Sequence, residues 1–436
     1  MGELLKLCHS LSRKGAKAQR KTQSFPAPLR PSLRLCAFAR EILFVLLAFS
    51  MALHIASAQT KPISERAAAT AMTALWRESG YPAKWTYDHG LVLKGIERVY
   101  QNTGDKQYLD YIQRGMDHFV AGDGSIRTYS LDDYNIDNIL PGRNLLFLYK
   151  VTKEEKYRKA AELLRSQLKT HPRTSEGGFW HKKIYPSQMW LDGLYMGEPF
   201  YAEYALTFDE KAAFDDIAKQ FVLMERHARD DKTGLLYHGW DESRKQRWSD
   251  PATGRSPNFW GRAMGWYAMA LVDTLDHFPD HPQVPELIAI LNRLARAVAK
   301  YQDPRTGLWY QVLDKGTQKG NYFESSAACM FVYALTKGAR NGYLASKYLQ
   351  VAEKGYRGIL KEFVKTDANG QLNLEGTVSV AGLGGNPYRD GSYEYYLSEK
   401  VVTNDPKGIG ALILAATEME TVAKWRKKSK LSTSHK

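Results

Sequence analysis

Residues 176–199 (EGGFWHKKIYPSQMWLDGLYMGEP) hold a dense mixture of aromatic, basic and acidic side chains. Their order follows neither the period of about 3.6 residues of an amphipathic helix nor the alternation of a strand. Aromatic rings can stack on a sugar, a lysine can pair with an anion, and a carboxyl can supply a proton. A plug at the end of a barrel would use similar aromatic residues, but the combination favours a pocket. The residues concerned are Trp180, His181, Lys182, Lys183, Tyr185, Trp190, Asp192 and Tyr195.

Asp192 is the candidate general acid of this stretch. It lies between Met-Trp-Leu at 189–191 and Gly-Leu-Tyr at 193–195, and apolar neighbours that exclude water favour the protonated form of a carboxyl. Asp137 supplies a second carboxylate, and a pair of carboxylates suits acid/base glycoside chemistry. The distance between them is not readable from the sequence, so neither retention nor inversion is predicted.

Other loops repeat the combination of aromatic and polar residues. Arg262 lies between two tryptophans, where it could bind a uronate carboxylate or pack on the surface as a structural residue. His181 and His238 could orient sugar hydroxyls, although either one alone is more typical of a structural histidine. The loop segments are WTYDHG (85–90), DNILPGR (137–143), HGWD (238–241), WGRAMGW (260–266) and the glycine-rich VAGLGG (380–385).

Several other chemistries lack their sequence motifs. The chain has no H-E-x-x-H, no paired C-x-x-C and no calcium loop of the usual spacing, so no metal is predicted. It has no G-x-G-x-x-G after a strand and no G-x-S-x-G elbow, which argues against a dinucleotide enzyme and a serine esterase. We expect no cofactor.

The first 58 residues resemble an export leader. Residues 1–40 contain nine Lys or Arg residues and one acid, the apolar run 42–53 follows, and Ala-Ser-Ala at 56–58 supplies a cleavage site. The apolar run is shorter than the roughly 20 residues that a membrane-spanning helix needs. We therefore expect a cleaved secretory signal, a mature protein in the periplasm or outside the cell, and no membrane span in the mature chain.

The net charge of +14 falls once the leader is removed. The remaining chain has 52 basic and 45 acidic residues, and six of those bases lie from Lys424 onward. A nearly neutral body argues against a nucleic-acid partner, whose docking face would be basic. Cys329 is the single remaining cysteine, so no internal disulfide is predicted. We expect a catalytic domain over residues 59–423 and a disordered basic tail over residues 424–436.

The mature chain repeats one pattern six times: an apolar segment, a polar turn and a second amphipathic segment. Apolar residues recur every three or four positions, which is helical spacing. Six helix pairs with aromatic-rich loops predict an all-α (α/α)6 barrel, a toroid of six helical hairpins, rather than an open superhelix. We expect short strands in loops on one face, at SEGGFWHKKIY, DKTGLLYHGWD and PRTGLWYQVLD. The predicted pairs are 91–100 with 108–120, 145–149 with 157–168, 199–206 with 212–227, 266–278 with 284–301, 327–335 with 343–360, and 408–422 with 63–76.

Taken together, these motifs resemble the unsaturated rhamnogalacturonyl hydrolases of glycoside hydrolase family 105. The segments that carry the resemblance run in order from Trp85 to Gly385, across most of the mature chain. They add GFWHKKIYP (178–186) and WLDGLYM (190–196) to the segments given above. Met264 occupies a position where the family often has a small polar residue, which leaves sub-specificity open.

The resemblance implies an (α/α)6 barrel that removes a 4,5-unsaturated galacturonyl residue from the non-reducing end of rhamnogalacturonan (pectin) lyase products. An aspartic acid protonates the vinyl-ether double bond at C4, water adds at C5, and the hemiketal opens with loss of the glycosidic bond. Asp192 would be the acid/base and Asp137 its essential partner. The ligand would be an unsaturated uronyl oligosaccharide, such as a disaccharide. The implied substrate-binding positions are Tyr87, His89, His181, Lys182, His238, Arg262, Trp266 and Gly382.

Three alternatives remain at this stage. An unsaturated glucuronyl hydrolase acting on glycosaminoglycan lyase products would share the barrel and both aspartates. A sugar 2-epimerase would use the same toroid but depend on paired histidines. A carbohydrate-binding protein without activity would keep the tryptophans and have no use for Asp192. The aglycone, the linkage and the oligomeric state are not predicted.

Overall fold

The computed structural model describes residues 61–76 and 80–433, with side chains to residue 427. Six helices form an inner ring: α2 (Tyr87–Thr103), α4 (Gly142–Thr152), α6 (Leu191–Thr207), α8 (Gly261–Leu275), α10 (Ser325–Arg340) and α13 (Pro406–Thr433). Six more form an outer layer: α1 (Ile63–Ala74), α3 (Lys106–Asp117), α5 (Glu155–Thr170), α7 (Ala213–Ala228), α9 (Val284–Lys300) and α11 (Lys347–Glu362). A short helix, α12 (Tyr393–Ser398), precedes the last one.

Contacts between neighbouring helices close the ring. Each inner helix packs against the next, and α13 packs back against α2. Helices α3, α5, α7, α9 and α11 each pack on the inner helix that precedes them, whereas α1 packs on α13. The Ser64 hydroxyl donates to Glu420 at 2.6 Å and joins that last pair. The predicted (α/α)6 toroid is confirmed, including the pairing of the two ends of the domain.

The two layers differ in how their residues are buried. In α9 the residues Leu287, Leu291, Leu294 and Val298 are buried on one face, as their spacing predicts. In α8 all residues from Gly261 to Leu275 are buried, because inner and outer neighbours enclose the helix. A fully buried leucine contributes roughly 1.5–3 kcal/mol to stability, so the inner ring supplies much of the core.

The strands are short and pair in twos. Antiparallel pairs form between β1 (Gln188–Trp190) and β2 (Gly239–Asp241), β3 (Val364–Thr366) and β4 (Leu372–Leu374), and β5 (Thr377–Val378) and β6 (Val401–Val402). Of the three loops predicted to hold strands, DKTGLLYHGWD contains β2. The other two contain isolated bridges instead, such as Arg173 with Phe179 and Tyr310 with Phe323.

The tail differs from its prediction. Helix α13 continues to Thr433, so residues 424–433 are helical rather than disordered. No glycine or proline interrupts this segment, and lysines near a helix C-terminus interact favourably with the helix dipole. The predicted leader, residues 1–58, lies outside the described residues. No helix within the described part of the chain is long and apolar enough to cross a membrane.

Candidate active site

Strands β1 and β2 bring Asp192 and His238 together. Met189 pairs with Trp240 across the two strands, and the Leu191 amide donates to the His238 carbonyl at 3.0 Å. Asp192 follows β1 as the second residue of α6, and His238 directly precedes β2. As a result, Nε2 of His238 lies 3.1 Å from Oδ2 of Asp192.

The contact between these two side chains leaves both atoms open to further partners. Nε2 and Oδ2 are buried, are not aligned as a hydrogen bond, and have no other hydrogen-bond partner in the described chain. Nδ1 of His238 lies 2.8 Å from the Tyr396 hydroxyl, which keeps its proton because burial raises the pKa of Tyr396 well above its usual value. Asp192 lies in the first turn of α6, where the helix dipole stabilises a carboxylate. The arrangement suits a carboxyl that donates a proton and is then stabilised as an anion.

Asp137 is held as a carboxylate by its neighbours. Its Oδ2 lies 2.6 Å from Nζ of Lys182, and its Oδ1 lies 3.5 Å from Nε2 of His181. Burial acts to raise the pKa of Asp137, but the charge of Lys182, with a smaller contribution from His181, lowers it below its usual value. Burial lowers the pKa of His181 to about 4, so this imidazole is neutral near pH 7.

Backbone pairing between two loops fixes the position of Asp137. The residue lies in a 3-10 turn, Ile136–Ile139, where the Asn135 side chain accepts a hydrogen bond from the Asp137 amide at 3.1 Å. The Ile136 amide donates to the His181 carbonyl at 3.2 Å, and Asn135 bridges to Lys182. The segment that carries the two bases therefore lies directly over the turn that carries the acid.

Aromatic rings form one wall of the site. Trp190 stacks on His181, with ring centroids 4.3 Å apart, and on Tyr185, with centroids 5.0 Å apart. The Tyr185 hydroxyl accepts a hydrogen bond from Arg389 at 2.9 Å. Gly382 lies against Arg389, since a Cβ at this glycine would meet the guanidinium at 2.5 Å. The glycine-rich loop is thereby joined to the wall through Arg389.

Tyr87, Trp266 and Arg262 lie at the beginnings of inner helices. The Tyr87 ring meets Trp266 edge-on at 6.2 Å. Burial raises the pKa of Tyr87 well above its usual value, with further contributions from nearby Asp88 and Asp137. Arg262 is buried, donates to the Val378 carbonyl at 2.6 Å, and has no hydrogen-bond partner for Nε among the described residues.

His89 is not brought together with the other predicted residues. Its ring packs among Trp76, Tyr81 and Phe119, and its Nε2 approaches Gly115 of the outer helix α3. Burial lowers the pKa of His89 to about 3. The side chain faces the outer layer, which leaves no contact with Asp137 or Asp192.

The sequence-based predictions did not include two residues near the site. Tyr396 orients His238, and the only signal for it was the aromatic run SYEYYL. Lys407 follows Asp405 at the start of α13, pairs with it at 2.8 Å, and is buried. Burial and the nearby charge of Arg262 lower the pKa of Lys407. In a sequence, Asp-x-Lys at the start of a helix looks like an ordinary N-terminal cap, so the pattern does not single out Lys407.

No group of three or more His, Cys, Asp or Glu side chains among the described residues could hold a metal ion. The acids of the site instead contact bases: Asp137 contacts Lys182 and His181, and Asp192 contacts His238.

Comparisons with known proteins identify the family of this chain. The model of Glycosyl Hydrolase Family 88 matches residues 63–423. Protein Atu3128 of Agrobacterium fabrum is 43% identical over 235 residues, which are 52% of this chain and 100% of that protein. Unsaturated rhamnogalacturonyl hydrolase YesR of Bacillus subtilis is 29% identical over 273 residues, 61% of this chain and 73% of that protein.

Solved structures extend the comparison. A family 105 glycoside hydrolase of C. acetobutylicum is 49% identical, with a TM-score of 0.81 over 83% of this chain and 100% of that chain. The unsaturated glucuronyl hydrolase of Bacillus sp. GL1 is 15% identical, with a TM-score of 0.59 over 78% of this chain and 87% of that chain, and shares the fold. The chain belongs to the glycoside hydrolases of the family 88 model and, within them, to family 105.

Proposed function

We propose that this glycoside hydrolase acts on unsaturated uronyl oligosaccharides and removes a 4,5-unsaturated galacturonyl residue from the non-reducing end of rhamnogalacturonan lyase products. The observation that carries the proposal is the pairing of each aspartate with its own base: Asp192 with His238 at 3.1 Å, and Asp137 with Lys182 at 2.6 Å. The 29% identity to a rhamnogalacturonyl enzyme supports the galacturonyl substrate.

The reaction adds one water across the vinyl ether. The acid form of Asp192 gives its proton to C4, and positive charge develops at C5 and the ring oxygen. Water then bonds to C5 and returns a proton to the Asp192 carboxylate, which leaves a hemiketal at C5. The hemiketal opens to a ketone by breaking the bond from C5 to the ring oxygen, and C1 releases the aglycone as an alcohol. General acid–base catalysis of this kind contributes about 100- to 10,000-fold.

The remaining side chains bind and orient the sugar. Asp137 is a carboxylate that can accept hydrogen bonds from sugar hydroxyls, and Lys182 beside it can attract the uronate. Trp190 is buried and stacks on His181 and Tyr185, so it fixes the orientation of these two side chains. Arg262 and Lys407, with the N-terminal ends of the inner helices, favour binding of the negatively charged uronate at the site.

The test follows loss of the ultraviolet absorbance of the conjugated uronate. Wild type and Asp192→Asn receive an unsaturated rhamnogalacturonan disaccharide and, separately, an unsaturated chondroitin disaccharide. Asp209→Asn is the matched control, because that side chain is 79% exposed. We expect wild type and the control to bleach the pectin product and Asp192→Asn to lose at least about 100-fold.

Each other outcome identifies which part of the proposal fails. Bleaching of the chondroitin product alone would replace galacturonyl by glucuronyl specificity and retain the reaction. Full activity of Asp192→Asn would remove Asp192 as the acid. No bleaching of either substrate by wild type would overturn the hydration reaction.

A further inference from the structure

A small cavity lies beside His181, between strand β1 and helix α6. Its volume is about 10 Å³. The side chains of His181, Glu198 and Gln220 contribute polar atoms to its lining. A cavity of this size accommodates one water molecule when two or more polar groups can bind it.

Two polar atoms in this lining are buried without a hydrogen-bond partner in the described chain. They are Nδ1 of His181 and Oε2 of Glu198, whose residues are 3% and 1% exposed. Gln220 is already engaged: its Oε1 accepts from the Phe179 amide at 2.8 Å, and its Nε2 donates to the Gly177 carbonyl at 3.1 Å and to Asp216 at 3.2 Å. Glu198 is therefore the lining group left to serve His181.

Burial favours the neutral carboxylic acid form of Glu198. Burial raises the pKa of Glu198 well above its usual value, and nearby Asp216 raises it further against the opposing charges of Arg173 and Arg165. A protonated glutamic acid has one O–H donor. It can donate to a water in the cavity, and that water can donate to Nδ1 of His181.

We propose that Glu198 is a positioning residue that acts through one water in this cavity to hold His181 with its proton on Nε2, the nitrogen that faces Asp137. Oδ1 of the Asp137 carboxylate lies 3.5 Å from Nε2 and can only accept a hydrogen bond. Because the ring is neutral, a proton on Nε2 requires Nδ1 to be an acceptor, and the chain from Glu198 supplies its donor. The catalytic part of the inference rests on the proposed function, whereas the tautomer does not.

Nitrogen NMR of ¹⁵N-histidine-labelled protein tests the tautomer without substrate. The His181 signals are assigned by their loss in His181→Asn. We expect the Nε2–H form in wild type and in Glu198→Gln, whose amide can still donate, and a mixture with the Nδ1–H form in Glu198→Leu. Glu203→Leu is the matched control, because Glu203 is a second largely buried carboxyl of α6 near its far end. An unchanged tautomer in Glu198→Leu overturns the inference.

Kinetics provide the second readout. Loss of one hydrogen bond that orients His181 should lower kcat about tenfold in Glu198→Leu with little change in KM. Glu198→Gln should restore most of that rate. A Glu198→Gln enzyme as slow as Glu198→Leu would contradict positioning through a donated hydrogen bond.

Infrared spectroscopy covers the case in which Glu198→Leu does not fold. The difference spectrum of wild type minus Glu198→Gln at pH 7 should contain the C=O stretch of a protonated carboxylic acid. A carboxylate band in its place would overturn the inference in the intact enzyme. Failure of substrate bleaching with an Nε2–H tautomer and a protonated Glu198 would instead reject the proposed function alone.

Discussion

Two buried acids of the inner helices have opposite surroundings: Asp192, in the first turn of α6, and Asp273, near the end of α8. At the end where the inner helices begin, Nε2 of His238, Oδ2 of Asp192 and Nε of Arg262 have no hydrogen-bond partner among the described residues. Burying such atoms costs folding free energy unless they gain a hydrogen-bond partner. We therefore expect a ligand to supply the missing partners at this end.

At the other end, a buried acid is surrounded by donors. Asp273, near the end of α8, accepts from Lys337 at 2.6 Å, from the Tyr333 hydroxyl at 2.6 Å and from Arg143 at 2.8 Å. Burial acts to raise the pKa of Asp273, but Lys337 and Arg143 outweigh it and lower the pKa far below its usual value. This cluster joins α4, α8 and α10, so we expect it to contribute to stability, whereas we propose that the open groups at the first end bind the ligand.

Asp192→Asn is the strongest test of the contrast, because it should separate activity from stability. We expect a loss of at least about 100-fold in kcat together with a little-changed free energy of unfolding, since an amide has the shape of a carboxyl and Oδ2 of Asp192 has no hydrogen bond to lose among the described residues. Urea unfolding and initial rates measure the two effects. A variant that is inactive because it is unfolded would refute the functional assignment of this end.

Asp273→Asn should give the opposite result. Removing the carboxylate that Arg143 and Lys337 share leaves them only their outer partners, Glu203 and Asp276, and costs up to about 3–5 kcal/mol of stability. Activity per folded molecule should stay within about twofold, because the cluster lies far along the helices from the proposed acid. Urea unfolding monitored by circular dichroism provides the measurement. A stable but inactive Asp273→Asn would break the contrast.

The response to acid should come from buried histidines rather than from the Asp273 cluster. Burial lowers the pKa of His89 to about 3 and of His181 and His171 to about 4. An unfolded histidine binds a proton below a pH of about 6.5. The unfolded state therefore gains protons first as the pH falls from 7 to 4, and the folded state loses stability.

His89→Phe should reduce this acid sensitivity. The ring lies among Trp76, Tyr81 and Phe119, so phenylalanine suits the site. We expect the variant to lose about 3 kcal/mol less than wild type between pH 7 and pH 4, with urea unfolding at each pH as the measurement. Equal pH dependence in the two proteins would show that His89 is not held neutral.

The parts of the fold that depend on local pattern were predictable. The helical spacing of Leu287, Leu291 and Leu294 identifies α9 without reference to the rest of the chain. The alternation of such segments with polar turns then predicts the closed ring. Asp192 and Asp137 were identifiable because their residue types and motif context point to acid/base chemistry.

The direction in which a side chain points depends on the residue at which its helix begins. The sequence-based predictions placed the start of α2 less accurately than its existence. The expected helix started at Leu91, whereas α2 begins at Tyr87. Residues two apart in a helix are separated by roughly 200°, so Tyr87 faces Trp266 while His89 faces the outer layer. Likewise, the contact between His238 and Tyr396 spans 158 positions, and no local pattern encodes it.

Lys182→Met gives the smallest expected effect. It tests whether the charge of Lys182 keeps Asp137 in its carboxylate form. Without Lys182, burial should raise the pKa of Asp137, so the acidic limb of the pH–rate profile should move to higher pH. We expect kcat/KM at neutral pH to fall about tenfold, the size of one charge-assisted hydrogen bond. Lys183→Met is the matched control, since Lys183 lies over the Tyr134 ring at 5.7 Å rather than on an acid of the site. If both variants kept the wild-type pH profile, the ion pair would hold the loop in place without lowering the pKa of Asp137. The two ends of the ring would then differ only in the geometry of their hydrogen bonds.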